Sequence, residues 1–97
     1  FLISATPEEE IKRIITERNL NKYFLEIKGS PVSKKDNLKY FIDNYALQIS
    51  ESIYFGDAKE DFDSAKFLQI KFIPINYFNK KQNTFDINYI LSDEFWD

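Results

Sequence analysis

An α/β fold, with a parallel sheet and helices on both of its faces, is what this sequence predicts, and three observations predict it. Short apolar runs recur along the chain at Phe1-Leu2-Ile3, Phe24-Leu25-Glu26-Ile27, Ser52 to Phe55 and Ile70 to Ile75. Helical patterns rather than hairpin turns stand between them. The connections leave room for little but crossover helices, so successive strands are expected to run parallel.

Phe1-Leu2-Ile3 has the continuous apolar character of a buried parallel strand, and Ser4-Ala5 is expected to end it. The next segment carries helix-start signals. Thr6 suits the N-cap, Pro7 the first helical position, and Glu9 completes a Thr-x-x-Glu capping box, while Glu8 and Glu10 complement the helix dipole. Ile11, Ile14 and Ile15 form one face, and Asn19 is the expected stop. Phe24 to Ile27 reads as the second strand, closed by Gly29-Ser30-Pro31. Ser33 caps a second helix in which Leu38, Phe41, Ile42 and Tyr45 recur at i, i+3, i+4 and i+7, which buries one face. A third strand covers Ser52 to Phe55, a short helix Glu60 to Phe67, and a fourth strand Ile70 to Ile75. Residues 76–84 read as a polar and aromatic loop and Ile87 to Leu91 as a closing strand. Ser92-Asp93-Glu94 then caps a last turn carrying Phe95 and Trp96.

Ninety-seven residues make one domain at most, with a thin core. The ten Phe, six Tyr and one Trp, against two Gly, give that core a large apolar content. The net charge of −3 comes from interspersed acids and lysines, and no basic stripe tracks a nucleic-acid backbone. With no Cys and no His, disulfides, zinc sites and Ser-His or Cys-His nucleophiles are excluded within these residues. Chemistry here must run on carboxylates, lysines and hydroxyls. No apolar run is long enough to span a bilayer and no signal pattern opens the chain, so a soluble cytoplasmic protein without a membrane partner is expected. The chain begins on Phe1 inside an apolar run, which leads us to expect a fragment.

In an open parallel sheet, ligands bind beyond the carboxyl ends of the strands. Ser4 follows the first strand, Lys34 begins the helix after the second, and Asp57 and Asp61 follow the third. A hydroxyl, an ammonium and two carboxylates at one rim suit a phosphoryl group accompanied by magnesium, which takes one or two carboxylates and keeps several waters. Each residue also has a plain alternative. Ser4 is then a strand-end turn residue, Lys34 a solvated first-turn lysine, and Asp57 and Asp61 a turn acid and a helix N-terminal acid. Glu60 and Asp63 read as charges on a solvated face. The spacing of Asp57, Asp61 and Asp63 lacks the alternating ligands and central Gly of an EF-hand loop.

In their order along the chain, three segments closely resemble the second, third and fourth motifs of the haloacid dehalogenase superfamily. They are Phe1-Leu2-Ile3-Ser4-Ala5-Thr6-Pro7, Gly29-Ser30-Pro31-Val32-Ser33-Lys34 and Tyr54-Phe55-Gly56-Asp57-Ala58-Lys59-Glu60-Asp61. Leu20 to Phe24, Ala65-Lys66 and Ile87 to Leu91 are also similar to the family's intervening and closing segments. The resemblance implies a Rossmann-like core and a Mg2+-dependent phosphohydrolase acting on a small phosphorylated metabolite. It implies that Ser4 hydrogen-bonds a phosphoryl oxygen, that Lys34 neutralises charge there, with Lys35 in reserve if the helix starts one residue later, and that Asp57 and Asp61 hold magnesium directly or through water.

The sequence departs from the family at its first motif. No Asp-x-Asp follows an apolar strand, and Asp61-Phe62-Asp63 lies inside the acidic motif. The resemblance implies that the missing strand stands between those of Phe1-Ile3 and Ser52-Phe55 and bears the nucleophile that becomes an aspartyl-phosphate. Residues 1–97 are therefore expected to form a single partial core domain, inactive alone and completed by an N-terminal segment or a homo-oligomeric partner. Thirty positions separate Ser4 from Lys34, which leaves no room for a cap domain between them. The alternative is a non-catalytic binding or scaffold domain of the same fold. A flavodoxin-like or receiver-like domain is disfavoured, because it requires an acidic pocket where Ser4-Ala5-Thr6-Pro7 stands.

Overall fold

The first strand, β1, runs over Leu2–Pro7 and pairs in parallel with β2, Ile27–Ser30. The computed structural model describes residues 1–75. The expected loop at 76–84, closing strand at Ile87 to Leu91 and turn with Phe95 and Trp96 lie outside them. The described residues follow the order β1, α1 (Glu8–Glu17), β2, α2 (Lys34–Asn44), β3 (Ile53–Gly56), α3 (Lys59–Phe67), β4 (Lys71–Pro74), with single 3-10 turns before β2 and β3. This is a mixed α/β architecture of short parallel strands and helices, as the sequence predicts. Among the described residues β1 pairs with β2 alone and β3 with β4 alone.

The chain divides into two compact units, Phe1–Ala46 and Leu47–Asp97, the second described as far as Ile75. In the first, α1 and α2 each pack against both strands. Ile15, Ile27, Leu38 and Phe41 form its buried core, and Phe41 is 1% exposed. Phe1 extends that core, with its ring 4.7 Å from those of Phe41 and Tyr45. In the second unit α3 packs on β3 and β4. Tyr54, Phe62, Ala65, Ile70 and Phe72 are buried there, and the Phe62 and Phe72 rings meet edge to face at 5.8 Å.

The two sheets differ in register. β3 and β4 pair without interruption, from Ile53 opposite Lys71 to Gly56 opposite Pro74. In the first sheet Leu2 and Ile3 face Ile27 and Lys28, but the next matched pair is Pro7 with Ser30. Residues 4–6 of β1 thus stand against Gly29 alone, as a bulge that bends one strand against its neighbour. The Thr6 N–H turns inward to donate to Ser4 Oγ at 3.0 Å. The crowding dictates Gly29: a Cβ there would run into the Thr6 carbonyl oxygen and stand 2.8 Å from Glu8 Cα.

This bulge corrects several expectations. β1 does not end at Ser4-Ala5 but continues to Pro7, and α1 begins at Glu8 with no side-chain cap, so the Thr6–Glu9 capping box does not form. The physical reason is tertiary. Pro7 is paired with Ser30, and the Thr6 main chain is held in the bulge. β2 also sits later than expected, taking Gly29 and Ser30 into the strand. Other signals held. Ser33 Oγ caps α2 by accepting the Asp36 N–H at 3.1 Å. Asn19 ends α1 with φ 57, with N–H bonds from Asn19 to Thr16 and from Leu20 to Ile15 completing a Schellman stop.

Gly29→Ala tests the bulge. The added methyl meets the main chain of Thr6 and Glu8, so thermal or denaturant unfolding should show a loss of about 1–3 kcal/mol, as for an overpacked core. Unchanged stability would mean that β1 and β2 do not approach as described.

Candidate functional site

Lys34, Asp57 and Asp61 stand where a strand gives way to a helix, and at both places a buried side chain bonds the main chain, whereas Ser4 lies within β1. In the first unit Ser4 is half-buried in the β1 bulge. Its Oγ already accepts from Thr6, which leaves the hydroxyl proton as the group it can donate. Lys34 is the first residue of α2 and half-buried, whereas Lys35 is exposed. Because α2 starts at Lys34, the condition under which Lys35 was to replace it is not met.

The segment between β2 and Lys34 contains a cis Ser30–Pro31 peptide and is tied at both ends. Asn37, 2% exposed, donates through Nδ2 to the carbonyl oxygens of Gly29 at 3.1 Å and Val32 at 3.3 Å. The Gly29 N–H donates to Glu8 Oε1 at 3.1 Å. That hydrogen bond is the main cause of a Glu8 pKa below its ordinary value, with Lys12 and Lys28 adding to it against desolvation. Sequence reading missed both residues. The available signal for Asn37 was an amide beside Leu38, which stands on the buried face of α2; Glu8 had none beyond its place in the first turn.

At the opposite end of β2, Glu26 accepts from Tyr45 Oη at 2.7 Å and Tyr40 Oη at 3.0 Å, and pairs with Lys28 Nζ at 3.4 Å. These partners, Tyr45 foremost, hold its carboxyl below the usual range. This cluster ties β2 to α2 away from the candidate residues.

In the second unit β3 ends in Gly56, and Asp57 and Asp61 lie together in the turn that starts α3. Asp61 is 4% exposed. Its Oδ2 accepts the N–H groups of Asp57 at 3.3 Å and Ala58 at 3.2 Å, and its Oδ1 accepts the Tyr54 hydroxyl at 2.8 Å. The contact is close enough to fix Gly56, since a Cβ there would stand 2.7 Å from Asp61 Cγ. Burial, followed by the charge of Asp61, pushes the Tyr54 phenol well above its ordinary pKa, so Tyr54 stays protonated as the donor. Asp57, half-buried, continues directly from the strand. Sequence reading missed Tyr54, although its inward position is readable from the two-residue alternation of Tyr54 and Gly56.

The arrangement brings Asp57 and Asp61 together at the end of β3. Ser4 and Lys34 stand on β1 and α2, which pack on each other in the first unit. Among the described residues no three acidic, His or Cys side chains converge as a metal cage. Two carboxylates with hard oxygens nevertheless fit magnesium, which needs only one or two and retains water. No described helix is long and apolar enough to cross a membrane.

A family model described as haloacid dehalogenase-like hydrolase matches residues 1–75. That span includes Ser4, Lys34, Asp57 and Asp61. No curated protein and no solved structure matches the chain.

Two measurements follow from these geometries. Asn37→Ala leaves the Gly29 and Val32 carbonyls without their donor and should cost about 1–3 kcal/mol in denaturant unfolding; a smaller change would show that water replaces the amide. For Glu26 the folded pKa lies below the ordinary 4.5, so its contribution to stability is present above that value and is lost as pH falls through the folded pKa. Glu26→Gln should therefore be less stable than the parent at neutral pH and lose less stability on acidification, as followed by melting temperature against pH. Parallel acid limbs in the two proteins would contradict this.

Proposed function

The chain belongs to the haloacid dehalogenase-like hydrolases, and from that premise we propose that it is the C-terminal part of a magnesium-dependent phosphohydrolase. Its substrate is a small phosphorylated metabolite, and hydrolysis runs through an aspartyl-phosphate whose nucleophile lies in a segment before Phe1. The observation that carries the reading is the acidic turn after β3, where a buried carboxylate organises the main chain that presents Asp57. Residues 1–97 are on this reading a single partial core domain, with any cap domain outside them.

The roles follow from side-chain chemistry. Ser4 uses its hydroxyl proton to bind a phosphoryl oxygen, while its oxygen accepts the Thr6 N–H. Lys34 brings an ammonium to the first turn of α2, where the helix N-terminus adds positive potential and favours an anion. The elements behind Lys34 are fixed by Asn37 and Ser33, so the charge is positioned before substrate arrives. Asp57 holds magnesium directly and Asp61 only through water, since both Asp61 oxygens are engaged by the Tyr54 hydroxyl and the Asp57 and Ala58 amides. Magnesium, when bound, neutralises charge on the phosphoryl oxygens.

Without an Asp-x-Asp after a strand, these residues alone also suit a non-catalytic scaffold of the same fold. One assay separates the readings. In protein carrying both this chain and the segment before it, magnesium-dependent hydrolysis of p-nitrophenyl phosphate should be measurable. Lys34→Ala and Asp57→Asn should each lower turnover about a hundredfold or more, and residues 1–97 alone should give none. Turnover unchanged in both variants would overturn the assignment, and a longer protein that binds phosphate esters without hydrolysing them would favour the scaffold.

A further inference from the structure

Asp61 is held through both of its carboxylate oxygens. Both oxygens of Asp61 are engaged inside the second unit, Oδ2 by two main-chain N–H groups and Oδ1 by the Tyr54 hydroxyl, and the residue is almost wholly buried. Asp57 contributes its N–H to that network, and it is the half-buried residue that directly follows β3. We infer that Tyr54 is a positioning residue: through Asp61 it sets the main chain of Asp57 and Ala58, and thereby the direction in which Asp57 meets a divalent cation. The inference rests on the metal reading above and deepens it by dividing the labour between the two acids.

The chain of contacts has little slack. Tyr54 is 8% exposed and its ring packs 6.0 Å from that of Phe72, so its hydroxyl cannot swing away without disturbing the core. Asp61 lies against Gly56, where even a methyl group would not fit, so its carboxylate cannot retreat toward the strand. The Asp61 N–H and the Phe62 N–H both donate to the Ala58 carbonyl, which binds the first turn of α3 to the same loop. A carboxylate held from both ends in this way keeps two amides at fixed orientation, and it is those amides that determine where Asp57 leaves the backbone. Without the Tyr54 donor, Oδ1 loses a buried hydrogen bond, and the carboxylate gains an incentive to rotate toward water and release the amides.

The test uses the full chain with two independent readouts, amide hydrogen exchange by NMR and Mn2+ binding followed by electron paramagnetic resonance. Tyr54→Phe keeps the ring in the core and removes only the hydroxyl. It should raise the exchange rates of the Asp57 and Ala58 amides about fivefold to tenfold, the change that corresponds to one hydrogen bond, with α1 and α2 amides unaffected. It should also weaken Mn2+ several-fold, whereas Asp57→Asn should abolish Mn2+ binding with the loop amides still protected. Asp61→Asn is the second variant, should the first fail to fold. Its neutral amide oxygen is a weaker acceptor than the carboxylate it replaces, so exchange at Asp57 and Ala58 should again accelerate. Unchanged exchange in a folded Tyr54→Phe overturns the positioning role. Mn2+ affinity unaffected by Asp57→Asn overturns the metal reading instead, and the exchange data still decide the role of Tyr54.

Discussion

A strand that gives way to a helix at its carboxyl end leaves main-chain N–H and C=O groups that neither the sheet nor the helix satisfies, and in a dry interior those groups must find partners. The rest of this structure follows from how that need is met. At the end of β2, Glu8 takes the Gly29 N–H and Asn37 supplies both Gly29 and Val32 carbonyls. At the end of β3, Asp61 takes the N–H groups of Asp57 and Ala58. The same bonds that make the strand ends tolerable also hold the residues suited to chemistry. A loop tied at its main chain is a rigid mount for Lys34 or Asp57, and rigidity is what binding of a compact, highly charged phosphoryl group requires.

The two glycines show how tightly the mounts are built. Gly29 sits where the β1 bulge crosses β2, and Gly56 sits under the Asp61 carboxylate. Both are dictated by close approach and not by backbone conformation, since neither has a positive φ. Each strand end therefore depends on one buried polar side chain and one residue with no side chain. This pairing accounts for a sequence so rich in large apolar residues that spends its two glycines at these points.

Much of the fold was legible because local signals and tertiary demands agree. Ser33 caps α2, Leu38 and Phe41 are buried in the i, i+3 relation the spacing predicts, and Asn19 ends α1 in the left-handed conformation that suits Asn. What was not legible is set by contacts between distant residues. Thr6, Pro7 and Glu9 form a strong helix-start pattern, yet Pro7 pairs with Ser30 and the strand absorbs the expected cap. β2 starts at Ile27 and not Phe24, because its partner's register fixes where pairing begins. Among the candidate residues, position was readable from strand-then-acid and helix-start patterns. The division of work between Asp57 and Asp61 was not, because it depends on a Tyr54 hydroxyl seven residues before Asp61 in the chain.

The central claim is that the turn after β3 is a cation mount in which Asp61 serves the backbone and Asp57 serves the ion. Crystals of the full chain soaked in manganese test it directly through an anomalous difference map. The account predicts a peak at coordinating distance from the Asp57 carboxylate, with Asp61 still bonded to the Tyr54 hydroxyl and to the Asp57 and Ala58 amides. A map without a peak at Asp57, or one in which Asp61 has turned from those amides to bind the metal, would contradict it.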